Sequence, residues 1–104
     1  MLKIRVLTVS GLIDEVNILG HADYADYGKD IVCASASSIV VTTINAVLTF
    51  DKNYIFYKNE NDNFSIKVLK HNEITKNLFS NMLNMLKQLM DDYPNNIEIK
   101  EENS

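Results

Sequence analysis

The sequence predicts a single α+β domain over residues 1–104, with two helices on one face of a mostly antiparallel sheet. Several short runs alternate apolar and polar residues, as half-buried strands do. Two longer runs repeat apolar residues at intervals of three and four, which is typical of helices packed on a core. No linker, internal repeat or low-complexity segment divides the chain, and its length supports one core. The predicted order is β-β-α-β-β-α-β.

The first three elements follow from alternation and length. Strands are predicted over 2–9 and 12–18, joined as a hairpin by a turn at Ser10-Gly11. The first helix is predicted from Ile31 to about Phe50, although its middle is rich in β-branched residues, because a strand of that length would be exceptional. In the second strand one side is shared by Leu12, Asp14, Val16 and Ile18.

A second hairpin and a last strand are predicted from the later apolar runs. The hairpin pairs 54–57 with 64–69, and its aromatic residues are read as core and sheet-edge residues rather than ligand-stacking groups. The last strand contains Ile97 and Ile99 in alternation with charged residues. Residues 101–104 are polar and are expected to fray.

The second helix is predicted from Glu73 to about Tyr93, with Asn72 as its N-cap and Pro94 ending it. Its apolar stripe is wider than one sheet face requires. The surplus is compatible either with a subunit interface or with a broad core face in a small protein. The residues that widen the stripe are Phe79, Leu86 and Met90.

The residues with special chemistry cluster between Gly20 and Ser37, which include the only cysteine, Cys33, and one of two histidines, His21. Asp30 is predicted to cap the first helix, which would put Cys33 at the third helical position. There the helix dipole and free N–H groups would favour a thiolate. His21 follows the second strand and is the nearest candidate base. The pattern indicates a Cys/His nucleophilic pair.

The residues around this pair fit a peptide-binding role. Ser37 lies one helical turn after the cysteine, on the same face. Small residues at 34–36 leave room for another backbone. The polar segment 23–29 ends a turn at Gly28, and we expect it to be a mobile gate whose Tyr24 and Tyr27 contact substrate. Taken alone, this spacing leaves function open, because a lone cysteine is usually a small buried hydrophobe and a lone histidine a surface or capping residue. His71, next to the start of the second helix, is expected to be a loop or capping residue rather than a second catalytic base.

Composition limits the classes of function. The net charge of −4, with ten scattered Lys and Arg, argues against direct nucleic-acid binding, whereas an acidic surface suits a basic partner. One cysteine cannot form an internal disulfide, the N-terminus lacks a signal-peptide pattern, and no run is expected to approach a membrane span. We therefore expect a cytoplasmic protein without a membrane partner. The few Cys and His residues lack the spacing of a zinc site, so no metal or other cofactor is expected.

The motif Gly20-His21-Ala22, then Gly28-x-Asp30-Ile31-Val32-Cys33-Ala34, then Ser37, resembles the signature of the ribosomal-processing cysteine protease family, Prp. The resemblance extends over the whole chain. It implies a thiol endopeptidase that removes a short N-terminal extension from a bacterial large-subunit ribosomal protein, and it suggests a homodimer. It places the catalytic pair on Cys33 and His21, and supporting positions on Gly20, Asp30 and Ser37.

The expected mechanism is acyl transfer through a thioester. Cys33 would attack the scissile carbonyl, N–H groups of the first helical turn would stabilise the oxyanion, and His21 would protonate the leaving amine and then activate water. The alternative from another class is a non-catalytic, ribosome-associated binding protein in which the cysteine is structural or a redox sensor.

Overall fold

The computed structural model of the chain describes residues 1–19, 27–60 and 63–104, with 27–30 described by their backbone. It confirms the predicted α+β class and the order of strands and helices. In chain order the elements are β1 Leu2–Val9, β2 Leu12–Leu19, α1 Tyr27–Phe50, β3 Ile55–Glu60, β4 Asn63–Val68, α2 Glu73–Asp92 and β5 Ile97–Asn103.

The five strands form one sheet in the order β3-β4-β2-β1-β5. Neighbours are antiparallel except β1 and β5, which are parallel. The turn predicted between β1 and β2 is confirmed, because Ser10 and Gly11 have φ angles of 53° and 78°. Two consecutive positive φ values are what a type I′ hairpin turn requires, and this turn matches the twist of the strands.

A β-bulge interrupts the β1–β2 ladder. Leu7 pairs with Glu15 whereas Thr8 pairs with Ile13, so Asp14 is the extra residue on β2. Strict alternation would put the Asp14 carboxylate on the same side as the buried side chains that follow it, and that prediction is wrong. The bulge instead lets it reach Lys67 and His71 outside the core.

The prediction that residues 101–104 fray is also wrong, because β5 continues to Asn103 beside β1. Arg5 Nη2 bonds to Glu102 Oε2 at 2.9 Å, and the Ser104 N–H donates to the Thr8 carbonyl at 2.9 Å. The polar composition of residues 101–104 suggested disorder. These residues instead continue an exposed edge strand whose backbone bonds to β1.

Both helices cover the same face of the sheet, as predicted. The buried residues of all five strands and both helices form one hydrophobic cluster. Its members with at most 1% exposure are Ile4, Val6, Val16, Val32, Ala36, Val40, Val47, Ile66, Phe79, Met82 and Leu86. The other sheet face carries charged side chains, including Arg5 and Lys67, which are about half exposed. Cys33, which is part of α1, therefore lies on the face of the sheet that the helices cover.

The start of α2 agrees with the sequence prediction. Asn72 is the N-cap, and it forms a capping box with Thr75, in which each side chain accepts a hydrogen bond from the other residue's backbone N–H. Of the residues that widened the apolar stripe, Phe79 and Leu86 are buried within the core. The broad stripe is therefore mainly a core face.

The start of α1 differs from the prediction. The helix begins at Tyr27, so Asp30 is its fourth residue and not its N-cap. Aspartate is favoured both as a cap and inside the first helical turn, where its charge interacts well with the dipole. The same residue type thus fits two helix starts four residues apart, and the sequence alone does not separate them.

Within α1, the twenty residues Ile31–Phe50 are long and apolar enough to cross a membrane, by length and composition alone. We expected no run of residues to approach the length and hydropathy of a membrane span, and this expectation is wrong. The Ser and Thr residues of the run lower its mean hydropathy too little to exclude it. A core helix of a soluble protein passes the same test. Because α1 supplies Val32, Val40 and Val47 to the core, the run is weak evidence for a membrane span.

Candidate active site

Cys33 is a free, half-buried cysteine and the seventh residue of α1. Its predicted place in the first turn is wrong. The backbone N–H of a seventh helical residue belongs to the regular ladder, whereas the free N–H groups are confined to the first four residues. The dipole effect also falls off within that turn. The first-turn account of thiolate and oxyanion stabilisation therefore does not apply to Cys33.

Cys33 lies on the flank of α1 that faces away from α2. Phe50, near the other end of α1, lines a surface groove with Ile74 and Leu78 of α2, so its side of the helix faces α2. At about 100° per residue, Cys33 and Ser37 lie on the other side of the buried stripe from Phe50. Since α2 contacts β5 and β2, it lies over that half of the sheet, and this second flank is directed toward β4 and β3.

The neighbours of the sulfur on α1 are small but not all exposed. Ser37 lies one turn after Cys33 and is also half-buried, and its hydroxyl has no hydrogen bond within the described part of the chain. Ala34 is exposed, whereas Ala36 is 1% exposed and packs in the core. Part of the predicted room around the sulfur therefore serves close packing of helix on sheet, and the open part lies on the Cys33–Ser37 flank.

Strand register places Cys33 at a defined end of the sheet. Ile18, near the end of β2, pairs with Phe64 of β4, and Phe64 pairs with Asn59 of β3. The ends of β2 and β3 and the start of β4 therefore lie together. Four residues separate the end of α1 from the start of β3, which lies at the opposite end of the sheet, and the 24 residues of α1 span about 36 Å. Its first two turns, which include Cys33, therefore lie at this same end.

Three of the predicted site residues, Gly20, His21 and Tyr24, lie outside the described residues. Two others, Tyr27 and Gly28, were expected in a loop that ended in a turn, but they form the start of α1. The predicted gate over 23–29 therefore cannot include residues 27–29, because these residues are helical.

The second histidine lies far along the sheet from Cys33. His71 is in the connection between β4 and α2, and its Nε2 is 3.3 Å from Asp14 Oδ1. The other oxygen of Asp14 is 3.2 Å from Lys67 Nζ. The loop position predicted for His71 is confirmed. Since β4 runs away from the Cys33 end, His71 is at the opposite end of the sheet.

Electrostatics elsewhere are simple. The Arg5 guanidinium lowers the pKa of the Glu102 carboxyl, first through a hydrogen bond and then through its charge, and both side chains are about half exposed. In the described ranges, no three His, Cys, Asp or Glu side chains are grouped so that they could hold a metal ion. Among the described residues, the candidate reactive group is thus the Cys33 thiol on α1.

Comparison with known proteins gives the class of the molecule. The family model described as Cysteine protease Prp matches residues 1–98. The ribosomal processing cysteine protease Prp of Staphylococcus aureus is 34% identical over 92 residues, which cover 86% of this chain and 87% of that protein. The protein of the same name from Mycoplasma genitalium is 38% identical over 86 residues, covering 80% and 83% of the two chains. The molecule is a cysteine protease.

Solved structures agree with this class. A crystal structure of the S. aureus protease with a covalently linked product peptide has a TM-score of 0.89 at 25% identity, covering 98% of this chain and 100% of that one. A Streptococcus mutans protein of 22% identity has the same fold, with a TM-score of 0.87 over 100% of this chain and 96% of that one. The chain belongs to the ribosomal processing cysteine protease Prp family.

Proposed function

We propose that the chain cleaves a short N-terminal extension from a large-subunit ribosomal protein, with Cys33 as nucleophile and His21 as general acid and base. One observation carries the nucleophile assignment. A cysteine protease needs a thiol, and this chain of 104 residues has one cysteine. Membership of a cysteine protease family also favours a catalytic role for Cys33 over the alternative of a non-catalytic binding protein. The covalent peptide in the S. aureus structure is what nucleophilic catalysis leads one to expect.

The assignment of the base rests on elimination between two histidines. His71 is held by Asp14 at the end of the sheet opposite Cys33, so its imidazole is out of reach of the thiol. His21 follows the end of β2 by two residues, and β2 ends where α1 starts. A histidine at that position suits proton transfer to and from the sulfur and the leaving amine.

The proposed reaction forms and breaks one thioester. His21 takes the thiol proton, the sulfur of Cys33 attacks the scissile carbonyl carbon, and the C–N bond breaks as the proton passes to the leaving amine. Water then hydrolyses the thioester and restores the thiol. The Ser37 hydroxyl has no hydrogen bond among the described residues, lies one turn from the sulfur, and is a donor suited to the developing oxyanion. Gly20, Asp30, Tyr24, Tyr27 and Gly28 remain supporting and substrate-loop positions of this proposal.

The cellular setting is part of the same proposal. A ribosomal substrate and a single cysteine suit the cytoplasm, and the net charge of −4 disfavours direct contact with nucleic acid. Neither a membrane partner nor a metal or other cofactor takes part. We further propose a homodimer. The outer face of α1 has no charged residue from Ile31 to Phe50, and Ile31 and Val41 on it are 55% and 40% exposed.

The test is cleavage of a peptide copied from the extension and the residues after the cut. We expect Cys33→Ala and His21→Ala each to lose at least about 10³-fold in kcat/KM. His71→Ala is the matched control, because it removes the other histidine and should change kcat/KM by less than about twofold. Circular dichroism checks that all variants fold. Cleavage by Cys33→Ala, or loss of cleavage in His71→Ala alone, would contradict the proposal.

A further inference from the structure

Strand β3 forms one of the two edges of the sheet, and among the described strands it pairs only with β4. Its middle carries two large exposed side chains, Phe56 at 58% and Tyr57 at 45%. The other edge, β5, is rich in charged residues. Sheets usually protect their edges with charge, and an edge strand with exposed aromatic side chains is a template for another extended chain.

The hydrogen-bond pattern shows which backbone groups of β3 are open. The Leu69 N–H donates to the Tyr54 carbonyl at 2.8 Å, and the two residues are opposite each other in the β3–β4 register. Directly bonded pairs alternate along an antiparallel ladder. Phe56 and Lys58 therefore bond to β4. The N–H and C=O groups of Ile55, Tyr57 and Asn59 point away from the sheet, in position to pair with a further strand.

The helix side of this edge is uncovered. Ile55 and Tyr57 share the face on which the helices pack, yet Ile55 is 4% exposed and Tyr57 is 45% exposed. The flank of α1 that carries Cys33 and Ser37, both half-buried, is directed toward this side of the sheet. Tyr57 is thus an exposed aromatic side chain on the same face of the sheet as the thiol.

The direction of β3 links the edge to the thiol. The strand runs from Ile55 to Glu60, and its last residues lie beside Phe64 and the end of β2, where the first turns of α1 are. Six residues of strand span about 20 Å. An extended peptide laid along the outer side of β3 would therefore be led to the end of the sheet where Cys33 lies.

We propose that the open edge of β3 binds the substrate segment as a sixth strand, with Tyr57 contacting its side chains. This inference rests on the proposed function. The favoured ligand is an extended peptide with apolar or aromatic residues opposite Tyr57 and no proline where its N–H must pair with β3. Main-chain bonds to Tyr57 and Asn59 provide affinity, and the exposed Tyr57 side chain on the helix side of the edge provides selection for side chains.

The direct test is amide hydrogen exchange of the full chain, measured by NMR in the inactive Cys33→Ala variant. The probe is the peptide copied from the ribosomal extension and the residues after the cut. At saturation we expect exchange at Tyr57 and Asn59 to slow at least tenfold. The Phe56 and Lys58 amides are internal controls, since they already bond to β4 and should not change.

A second test uses proline at open N–H positions, which edge strands tolerate. Asn59→Pro should raise KM at least tenfold while the protein stays folded. The matched control is Glu101→Pro on the other edge. The Leu2 N–H donates to the Asn96 carbonyl, so in this parallel pair the even-numbered residues of β5 face β1 and the Glu101 N–H points outward. That variant should leave KM unchanged.

Each outcome decides the inference. If the wild type cuts the peptide but the Tyr57 and Asn59 amides are not protected, the edge inference is overturned and the proposed function stands. Protection that appears without peptide and rises with protein concentration would assign the edge to a second copy and also overturn it. If the wild type never cuts the peptide, the proposed function fails, while protection by the peptide would still support binding at β3.

Discussion

The two ends of the sheet differ in how their polar groups are paired. One histidine, His71, follows β4 at one end, and the other, His21, follows β2 in the sequence at the other end. We call one end the capped end, which is formed by the Ser10-Gly11 turn, Asp14, His71 and Asn72. There the Asp14 carboxylate pairs with Lys67 and His71, and Asn72 forms its capping box. At the Cys33 end, formed by Leu19, Cys33, Ser37 and Phe64, the thiol is free and the Ser37 hydroxyl is unbonded within the described residues. Polar groups satisfied by each other stabilise the fold, whereas unpartnered ones are available for chemistry.

The largest expected effect tests the capped end. The Thr75 hydroxyl is 2% exposed, donates to the Lys70 carbonyl at 2.8 Å and accepts from the Asn72 N–H at 3.1 Å. Thr75→Val keeps the shape but leaves these groups unpaired, so the free energy of unfolding should fall by about 2 kcal/mol. Urea denaturation measures this. The kcat/KM of the folded protein should be unchanged, and a tenfold loss would erase the distinction between the ends.

The counterpart at the Cys33 end is Ser37→Ala. Because the hydroxyl has no partner in the described structure, its loss should leave the unfolding free energy within about 0.5 kcal/mol. Loss of an oxyanion donor should lower kcat about tenfold or more with little change in KM. Ser38→Ala, on the exposed side of α1, is the matched control. Equal kcat in both variants would show that Ser37 only packs.

Agreement between sequence and structure follows the same division. Asn72 was a recognisable cap because asparagine is a preferred N-cap residue, whereas its reciprocal bond with Thr75 was not predicted. The start of α1 was four residues off, because Asp30 suits either a cap or a first turn. Alternation found β1, but neither the bulge at Asp14 nor the pairing of Glu102 with Arg5 is encoded locally. Both depend on strands distant in sequence.

The resemblance of the motif identified the family correctly, but not the local geometry of the candidate site. The assignment of Cys33 as the nucleophile stays a prediction. The position of Cys33 in the second turn of α1 could not be predicted once the helix start was misplaced. The aromatic residues of β3 were expected in the core or at a sheet edge, and β3 is an edge strand. Which backbone groups of that edge are open could not be predicted, because strand order and register arise from long-range pairing.

Asp14→Asn should have an intermediate effect at the capped end. It removes the charge that holds Lys67 and His71, and the Asp14 side chain is 17% exposed. Since partly exposed ion pairs contribute little each, we expect a loss of about 1 kcal/mol in unfolding free energy. Thermal unfolding in low and high salt checks this, because the wild type but not the variant should lose stability with added salt. An unchanged stability would show that the bulge alone fixes this end.

A smaller gain is expected at the turn of the capped end. Ser10 adopts a φ of 53°, which costs a non-glycine residue some free energy. Ser10→Gly should therefore raise the unfolding free energy by about 0.5 kcal/mol. Gly11→Ala should lower it by about 1 kcal/mol, although a Cβ there meets nothing within 4 Å, because its φ is 78°. Chemical denaturation of both variants checks the opposite signs.

The smallest effect lies between the ends, at the exposed Arg5–Glu102 pair. Arg5 lowers the pKa of Glu102 in the folded protein, so the contribution of this pair is present above the ordinary glutamate pKa and is lost as pH falls through the lowered one. Unfolding of wild type and Glu102→Gln should differ at neutral pH and converge below about pH 4. A difference that grows in acid would have the wrong sign.

The most direct test of the central claim is the intact mass of the protein after rapid acid quench of a reaction with the extension peptide. If Cys33 is the nucleophile, the wild type gains the mass of the N-terminal fragment less one water, and peptide mapping places it on Cys33. Cys33→Ala shows no adduct, and His71→Ala shows the same adduct as the wild type. An adduct on another residue, or cleavage at full rate in Cys33→Ala, would contradict the account.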